Sequence, residues 1–585
     1  HLLDEIGGIG GEHIICHLIG ILHVDAVALT GCDDFLTTPP LDQITEEAWW
    51  KDANQTKMMV DGCYDYVYQG DGDNIIAFRD AWTDNSTWWG VEHFANGDLR
   101  PTSRGLEDEW KYKAIAQMNY VLHGLELSKE YLTPDQYAHM RAEVRFIRAL
   151  NYYDMLFFFG DIPLVDKVLT VDESRALTRT PRVDVYDFVI NELEECLVDI
   201  KKAPNFESGR VTEDVVNAMI ARVSLHEAAK SKYISFLKNS KKSTEDLYKR
   251  VLTATQAIIE GGRYGLYRAY DGDPKKHSYE ELFRPQADGN NNEVIFERQY
   301  FPSLKTHNLN NNLSYPSSVY CGWKGLLPLQ DIVDEYECIE GHPYDQCEAL
   351  NCPHVAERAA LDQAGMLSYG EHEFRDPRLK STIIHPGWEW IKGGKVDSHY
   401  GVEDPDSRDY IGKEPVSTGF LLTKWTDLEG EEPDRWLGHK NLTVFRYADV
   451  LLMRAEALIE LNENLGEALS LINDIRNRAE MPEYPAVTSQ SDMIAKVRHE
   501  RRVETAFEGL RYYDIIRWGI APKVLNGPAY GWKRWNPETQ KHDNPLVFEQ
   551  RIWVEGEGRY FWPIPQASID QNENIKQQDD KWWLR

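Results

Sequence analysis

Apolar residues recur at helical spacing in two groups of segments, and this grouping restricts the possible fold more than any other feature. The first group lies within residues 105–261 and the second within residues 445–510. Each segment repeats its apolar residues three and four positions apart, so a helix would carry them on one face. The segments are Gly105–Lys129, Pro134–Phe159, Val183–Lys202, Thr212–Tyr233, Ser243–Glu260, Tyr447–Asn462, Leu465–Arg478 and Ser491–Gly509.

Short turns join several of these segments, which predicts helix–turn–helix pairs of the tetratricopeptide type. Glu143–Phe159 and Ala448–Leu461, each followed by another amphipathic segment, are the best candidates for such pairs. Thr133 and Thr212 precede proline or acidic residues, a pattern typical of helix starts. The expected fold class is mainly α, a helical-pair scaffold with few and short strands.

Residues 262–440 lack helical periodicity and are rich in Gly, Pro, Asn and aromatic residues. Long irregular segments in a compact protein are usually functional. We therefore expect a large, loop-rich, ligand-facing half laid over the helical scaffold. The helices of 105–261 and 445–510 should pack on one another across it, and 262–440 should not form an independent domain.

The sequence Leu29-Thr30-Gly31-Cys32 has the pattern that a lipoprotein signal peptidase recognises. Such a cysteine receives a diacylglycerol and becomes a membrane anchor, although it could also be a small buried residue at a turn. Residues 1–31 contain no Lys or Arg and carry four acidic residues, unlike a secretory signal. We therefore expect an atypical leader or an artefact of the sequence over 1–31, a body over 32–585 and lipidation at Cys32.

Charge and composition exclude some partners. The chain has 96 Asp and Glu against 64 Lys and Arg, whereas a nucleic-acid surface or an anionic-membrane patch needs a basic footprint. The 18 Trp and 30 Tyr residues suit binding surfaces, because their flat rings combine an apolar face with a polar group. No stretch after Cys32 resembles a transmembrane helix.

One short segment, from Trp82 to Trp89, combines three indoles with Asp84, Asn85 and hydroxyl groups. Aromatic faces pack against the C–H surface of a sugar, and carboxylates, amides and guanidinium groups bind its hydroxyls. We expect this segment to be the main ligand site, with a second platform, including Trp323, in the irregular half; each Trp is equally consistent with core packing. The candidate ligand-binding residues are Asp52, Asn54, Asp73, Trp82, Asp84, Asn85, Trp88, Trp89, Tyr320, Arg375, Trp388, Trp390 and Tyr400.

Neither a metal nor a cofactor is expected. Among Cys338, Cys347, Cys352 and His354, only Cys347 and Cys352 have the spacing of a zinc-binding pair, so a loop disulfide of undetermined pairing is favoured. The acidic run 70–74 resembles a calcium loop, but Trp82 stands where the bidentate glutamate should be, which favours a solvated turn.

A series of motifs runs nearly from end to end of the chain. They are Asp33–Leu36, Pro39–Thr45, Arg141–Asp154, Phe159–Val165, Pro328–Tyr336, Phe374–Arg378, Phe445–Ala457, Asn473–Ala479, Glu500–Glu504, Glu508–Trp518 and Tyr560–Pro565. In order and number they resemble the SusD/RagB-like outer-membrane nutrient-binding lipoproteins of Bacteroidetes. The segment before Cys32 departs from that family's signal peptides.

This resemblance implies a tetratricopeptide-containing helical fold whose ligand site is built from loops. It also implies a lipid-anchored, surface-exposed protein that captures oligosaccharides without catalysis and closes as a lid over a TonB-dependent, SusC-like transporter barrel. Asp33 and Asp34 fit the family's export pattern for surface lipoproteins. The alternatives are a peptide-capturing, RagB-like protein and, less favoured, a glycoside hydrolase, because a pair of catalytic carboxylates cannot be recognised among so many acidic residues.

Overall fold

Long helices dominate the computed structural model of the chain. It describes residues 49–68, 76–88, 93–201, 207–268, 278–313, 323, 325–357, 360, 374–384, 389–392, 395–399, 418–426, 436–486, 489–533, 535–536, 539, 541–542, 544–554 and 556–584. The α-helices are α1 Ala53–Cys63, α2 His93–Asn96, α3 Tyr112–Ser128, α4 Pro134–Phe159, α5 Val171–Arg175, α6 Arg182–Ile200, α7 Glu213–Tyr233, α8 Thr244–Gly261, α9 Ser278–Leu282, α10 Leu309–Leu313, α11 Gln330–Glu335, α12 Cys347–Leu350, α13 Pro377–Thr382, α14 Tyr447–Leu461, α15 Leu465–Arg478, α16 Gln490–Glu504, α17 Arg511–Arg517, α18 Ala521–Val524 and α19 Gln566–Gln571.

Strands are short and occur as antiparallel pairs. The pairs in the described part of the chain are β1 with β3, β2 with β8, β4 with β7, β5 with β6, β9 with β12 and β10 with β11. The strands are β1 Ser86–Trp88, β2 Val294–Arg298, β3 Leu326–Pro328, β4 Ile383–Ile384, β5 Glu389–Lys392, β6 Lys395–His399, β7 Leu421–Leu422, β8 Leu442–Arg446, β9 Gly527–Tyr530, β10 Trp535–Asn536, β11 Lys541–His542 and β12 Val547–Arg551. The predicted mainly α fold class is confirmed.

Capping residues fix the starts of the long helices. The Thr133 hydroxyl accepts the backbone N–H of Gln136, and the Gln136 side chain accepts the N–H of Thr133 in return. This reciprocal arrangement satisfies two donors that a helix start leaves free, and Pro134 supplies a suitable φ for the first helical position. The Thr212 hydroxyl caps α7 by accepting the backbone N–H of Val215. Both predicted starts are confirmed.

Two of the predicted helix boundaries are wrong. The segment predicted from Gly105 becomes regular helix only at Tyr112, because the chain turns through a 3₁₀ helix at Glu107–Glu109. The last segment was predicted to run to Gly509, but α16 ends at Glu504. Beyond it, the buried Asp80 carboxylate accepts the N–H groups of Phe507 and Gly509.

The two helical groups pack on one another. Helix α8 packs on both α7 and α14, helix α7 also contacts α14 directly, and α14 in turn packs on α15 and α16. The contact includes a buried ion pair, in which Arg222 of α7 lies 2.7 Å from the carboxylate of Asp449 in α14. Residues far apart in sequence thus share one helical body.

Buried ion pairs attach the loop-rich half to the helices. Arg378, at 0% exposure, donates to Glu500 at 2.6 Å and to Glu504 at 2.9 Å in α16. Arg446 donates to Glu504 at 2.6 Å and to Glu293, beside β2, at 2.8 Å. Removing one member of such a network would leave an unpaired buried charge, so the network restricts how the halves can join.

Residues 50–585 form one compact unit by their internal contacts. Strand β2, from the loop-rich half, pairs with β8, which leads directly into α14. None of the described helices is long and apolar enough to cross a membrane.

Candidate ligand-binding site

The Trp82 ring lies in a cluster of core aromatic residues. It stacks on Phe94 at a centroid distance of 4.6 Å and makes edge contacts with Trp562 at 5.1 Å and Tyr512 at 5.7 Å. Arg79 lies 5.7 Å from the ring centroid. Partly buried among these side chains, the indole packs with the core and does not form an open platform.

Asp84 and Asn85, which the sequence predicted as ligand contacts, are used inside the protein. Asp84, at 6% exposure, accepts two hydrogen bonds from Arg511, at 2.9 and 2.7 Å, and lies 3.0 Å from Arg502. Asn85 is fully buried; it donates to Asp80 and accepts from Arg502. The prediction of exposed sugar-binding groups is therefore wrong for these two residues.

The charges around this segment shift two carboxyl pKa values in opposite directions. Burial alone would raise the pKa of Asp84, but the guanidinium groups of Arg502 and Arg511 outweigh it and lower the pKa to about 2. Burial raises the pKa of Asp80 to about 6 despite its hydrogen bonds from Asn85 and backbone N–H groups. Both carboxyls hold the 3₁₀ helix Ile76–Trp82 and the following turn against α16 and α17.

The predicted contacts Asp52 and Asn54 lie at the start of α1. The Asp52 carboxylate accepts the backbone N–H groups of Asn54 at 2.8 Å and Gln55 at 2.9 Å, so it is the N-cap of this helix. Both residues are exposed. The structure therefore shows a capping role for Asp52.

The structure also contradicts the predicted ligand-binding role of Arg375. It is 3% exposed and donates to the backbone carbonyls of Val333 and Tyr336 at the end of α11. Its guanidinium also lies 3.9 Å from the centroid of the Tyr344 ring. A buried cation bound to the carbonyls of a helix C-terminus stabilises that helix end, so it is not the exposed donor that was predicted.

Several predicted residues lie outside the described part of the chain. Trp390 belongs to β5, for which the backbone alone is described. The others are Cys32, Asp73, Trp89, Tyr320, Trp388 and Tyr400.

Two tryptophans form an exposed pair elsewhere. Trp323 is 57% exposed and Trp436 is 40% exposed, and these are the exposed indoles among the tryptophan side chains that the structure describes. Their ring centroids lie 5.2 Å apart, with the planes at 80°. We refer to Trp323 and Trp436 as the tryptophan pair.

Helix α10 and His307, which precedes it by two residues, anchor the backbone on the two sides of the pair. The backbone N–H of Trp323 donates to the carbonyl of Asn311 in α10 at 2.7 Å. On the other side, His307 and Gly438 exchange two backbone hydrogen bonds of 2.8 Å, which fixes the backbone two residues after Trp436. Two segments more than a hundred residues apart in sequence are thus hydrogen-bonded to one support.

The support itself is buried and polar. Both amide atoms of Asn311, which is 0% exposed, lack a hydrogen-bond partner among the described residues. The His307 ring donates from Nε2 to the Lys440 carbonyl at 3.0 Å and accepts the Leu309 N–H at Nδ1. Burial lowers the pKa of His307 to about 4, so the ring is neutral at neutral pH.

Trp88 links the predicted segment to the tryptophan pair. Strand β1 pairs with β3 so that Trp88 lies opposite Leu326. A Cβ added to Gly325 would come within 2.9 Å of the Trp88 ring and 3.0 Å of the Asn312 carbonyl, so only glycine fits between them. The half-buried Trp88 therefore packs behind the backbone that carries Trp323.

Sequence reasoning placed Trp323 in the second platform but missed Trp436. Trp436 lies in the irregular stretch 262–440, yet no motif or composition shift marks it. Exposure of an indole depends on the residues that pack opposite it, and the relevant partners lie far away in sequence.

The expected loop disulfide is absent from the described residues. Cys338, Cys347 and Cys352 are free thiols in a buried cluster, and the Sγ atoms of Cys338 and Cys352 are 4.0 Å apart. A disulfide requires a separation of about 2 Å.

Two family models match this chain. The model described as "SusD family" matches residues 292–582, and the model described as "Starch-binding associating with outer membrane" matches residues 51–225. The two ranges include the tryptophan pair and most of the helical scaffold.

Known proteins resemble the chain along most of its length. A SusD-like protein of Formosa agariphila is 24% identical over 535 residues, covering 87% of this chain and 90% of that protein. The starch-binding protein SusD of Bacteroides thetaiotaomicron is 22% identical over 539 residues, covering 85% of this chain and 82% of SusD. A crystal structure of a SusD-like carbohydrate-binding protein from Bacteroides fragilis superposes with a TM-score of 0.74 at 25% identity, covering 90% of this chain and 100% of that one.

Proposed function

Since this chain belongs to the SusD-like family, whose models describe starch binding and association with the outer membrane, we propose that it is a non-catalytic glycan-binding protein of the outer membrane. We propose further that the tryptophan pair is part of its ligand-binding surface. The observation that carries this assignment is the exposure of two adjacent indoles on a rigid support.

Exposed indoles are costly unless a ligand covers them, and their flat faces match the C–H surfaces of pyranose rings. The two ring planes are nearly perpendicular, so one sugar could stack on one indole while a neighbouring unit contacts the other. The unpaired buried amide of Asn311 lies in the helix that binds the Trp323 backbone. A buried water molecule would satisfy such an amide.

Affinity electrophoresis tests this function. The full-length chain is run through gels containing starch, laminarin, mannan or fructan, and the polysaccharide is recovered and sized afterwards. Retardation in at least one gel without shortening of the polymer supports the proposal. Cleavage of the polymer indicates a glycoside hydrolase, and retention only on immobilised peptides indicates a peptide-capturing protein; either result contradicts the proposal.

We also propose that the ligand passes to a TonB-dependent, SusC-like barrel, over which this protein closes as a lid. Two observations favour this partnership. The chain belongs to a family described as associated with the outer membrane, and its sequence carries the motif series described above. Affinity purification from detergent-solubilised outer membranes of the native host should recover a large β-barrel protein in stoichiometric amount. Recovery of the chain alone contradicts the partnership.

Attachment to the membrane is proposed to occur through a lipid on Cys32. The Leu29-Thr30-Gly31-Cys32 pattern supports this, and Cys32 lies outside the described residues. In a Bacteroidetes host, the Cys32→Ser variant should appear in the soluble fraction while the parent chain remains with the membrane. Equal distribution of the two proteins contradicts lipidation at this residue.

The predicted residues that the structure does not correct remain proposed ligand contacts. Tyr320 stands three residues before Trp323 in sequence, and Trp388, Trp390 and Tyr400 belong to the same irregular half. Asp73 and Trp89 flank the segment that ends in β1.

A further inference from the structure

Three buried cysteines converge in a short segment that follows α11. Ligand-type atoms of Cys338, Cys347 and Cys352 all lie within 4.8 Å of one another, and all three residues are buried. None of the three is in a disulfide. Three thiols cannot all pair with one another, so a disulfide between any two would leave the third thiol unpaired within the cluster.

A histidine next to one of the three sulfurs is the candidate fourth ligand. The Nδ1 atom of His342 lies 3.2 Å from the Sγ atom of Cys352. In the order Cys338, His342, Cys347, Cys352, the intervals contain three, four and four residues. These intervals agree with the short spacings of structural zinc sites, whereas without His342 the interval between Cys338 and Cys347 would contain eight residues.

Two tight backbone turns bring these side chains close together. Gly341 has φ +80° and its N–H donates to the Cys338 carbonyl, while the Cys338 N–H donates back to the His342 carbonyl. Asn351, with φ +55°, ends α12, and the Cys352 N–H donates to the Cys347 carbonyl. The left-handed residues reverse the chain twice, which brings the sulfurs of distant turns together.

We propose that Cys338, His342, Cys347 and Cys352 bind one zinc ion in a structural, tetrahedral site. Sulfur ligands about 2.3 Å from a tetrahedral zinc would be about 3.8 Å apart, close to the 4.0 Å between the Sγ atoms of Cys338 and Cys352. Thiolate and imidazole ligands favour zinc over hard cations such as calcium and magnesium. The proposed site replaces the disulfide that was expected from the sequence.

A second grouping, made of Cys338, Glu340 and His354, also brings possible ligand atoms within 4.8 Å. It offers a single sulfur, and its His354 is engaged at one ring nitrogen: Nδ1 lies 2.6 Å from Glu340, the ring stacks 5.4 Å from Phe374, and Nε2 is buried without a partner among the described residues. The three-thiol set is therefore the better zinc site, and His354 with Glu340 packs beside it.

A zinc ion at this site would stabilise the surrounding loop. Cys338, Tyr344, Cys347 and Cys352 form a small buried cluster of their own, with Val355 packed against it. Such a small cluster buries too little apolar surface to fix a loop by itself, and a metal ion can supply the missing free energy. The guanidinium of Arg375, above the Tyr344 ring, places a positive charge next to the cluster, where three thiolates and one Zn²⁺ would carry a net charge of −1.

Metal content tests the proposal directly. The full-length chain, purified in zinc-containing buffer without chelator and then desalted, should contain one zinc per chain by inductively coupled plasma mass spectrometry. The Cys347→Ser variant should lose at least nine-tenths of this zinc. The matched control is Cys63→Ser, because Cys63 is a buried thiol in α1 outside the cluster, and it should keep the full complement.

Cobalt substitution keeps the test decisive if the cysteine variant does not fold. The parent chain loaded with Co²⁺ should show thiolate-to-cobalt charge transfer and the intense visible bands of tetrahedral coordination. His342→Ala should shift these bands and His354→Ala should leave them in place. A parent chain without stoichiometric zinc, a disulfide among the three cysteines in non-reducing peptide maps, or cobalt bands that respond to His354 and not to His342 would overturn the site as assigned.

Discussion

Two tryptophan-bearing regions of this protein differ in exposure: one packs in the core and the other faces solvent. Trp82 lies among Phe94, Trp562 and Tyr512, and the carboxylate two residues later is bound by arginines. The tryptophan pair, in contrast, presents both rings to solvent from a support built around α10. In sequence, the first region is the richer in polar and aromatic residues.

The difference teaches that local composition does not distinguish a binding loop from a buried junction. An Asp and an Asn beside indoles can bind a sugar, but they can equally bind arginines from a distant helix. Arg502 and Arg511 lie more than four hundred residues from Asp84 in sequence. The predictions below test whether the Trp82 region is structural and the tryptophan pair functional.

The largest effect is expected from Asp84→Ala. This substitution leaves the buried guanidinium groups of Arg502 and Arg511 without their shared carboxylate, and loss of one member of a buried ion pair costs about 3–5 kcal/mol. The free energy of unfolding, measured by urea titration, should fall by that amount. Glu245→Ala is the control, because its pair with Lys249 is exposed and should contribute less than about 0.5 kcal/mol. Equal losses for the two variants would show that Asp84 is not a structural anchor.

Trp82→Ala should destabilise the protein nearly as much. Removing a large aromatic side chain from a packed cluster costs about 3 kcal/mol or more, and Trp82 contacts four core rings. Thermal unfolding measures the loss, while Trp82→Phe keeps part of the packing and should lose less. A variant that melts like the parent chain would contradict the core assignment.

The pH dependence of the free energy of unfolding should reveal the buried His307, whose backbone is hydrogen-bonded to Gly438, two residues after Trp436. Its pKa is about 4 in the folded protein, because burial disfavours the charged ring, against 6.5 for an exposed histidine. Between pH 6.5 and 4 the unfolded chain therefore binds a proton that the folded chain does not, and stability falls as the pH falls, by about 3 kcal/mol in total. Below pH 4 both states are protonated and this contribution stops changing.

The His307→Gln variant isolates this contribution. Glutamine can replace the Nε2 donor but does not titrate, so the difference in unfolding free energy between pH 6.5 and 4 should be smaller than in the parent chain. Identical pH profiles for the two proteins would show that His307 is not a buried neutral group.

The smallest stability effect is expected from Asp52→Ala. The Asp52 carboxylate caps α1 through two backbone N–H groups, and loss of such a cap costs about 1 kcal/mol. Glycan affinity should not change, because the capping role accounts for the polar contacts of this side chain. A drop in affinity without a drop in stability would restore Asp52 as a ligand contact.

The sequence was sufficient to predict the structure where that structure depends on residues close together in the chain. The bounds Pro134–Phe159 and Leu465–Arg478 were predicted as observed, because caps and apolar spacing act within a few residues. Prediction from the sequence failed where contacts between residues far apart in the chain determine the structure. The Asp80 contacts that end α16, the arginine partners of Asp84 and the pairing of Trp436 with Trp323 all join segments that no local pattern connects.

The central claim is that glycan binds at the tryptophan pair and not at the Trp82 segment. The most direct test is the dissociation constant of Trp323→Ala for a polysaccharide that the parent chain retains, measured by isothermal titration beside Trp82→Phe. Loss of one stacking ring in a binding hot spot costs about 1–3 kcal/mol, or roughly tenfold to a hundredfold in affinity. The account predicts that weakening for Trp323→Ala and an unchanged affinity for folded Trp82→Phe. An unchanged Trp323→Ala together with a weakened Trp82→Phe would contradict it.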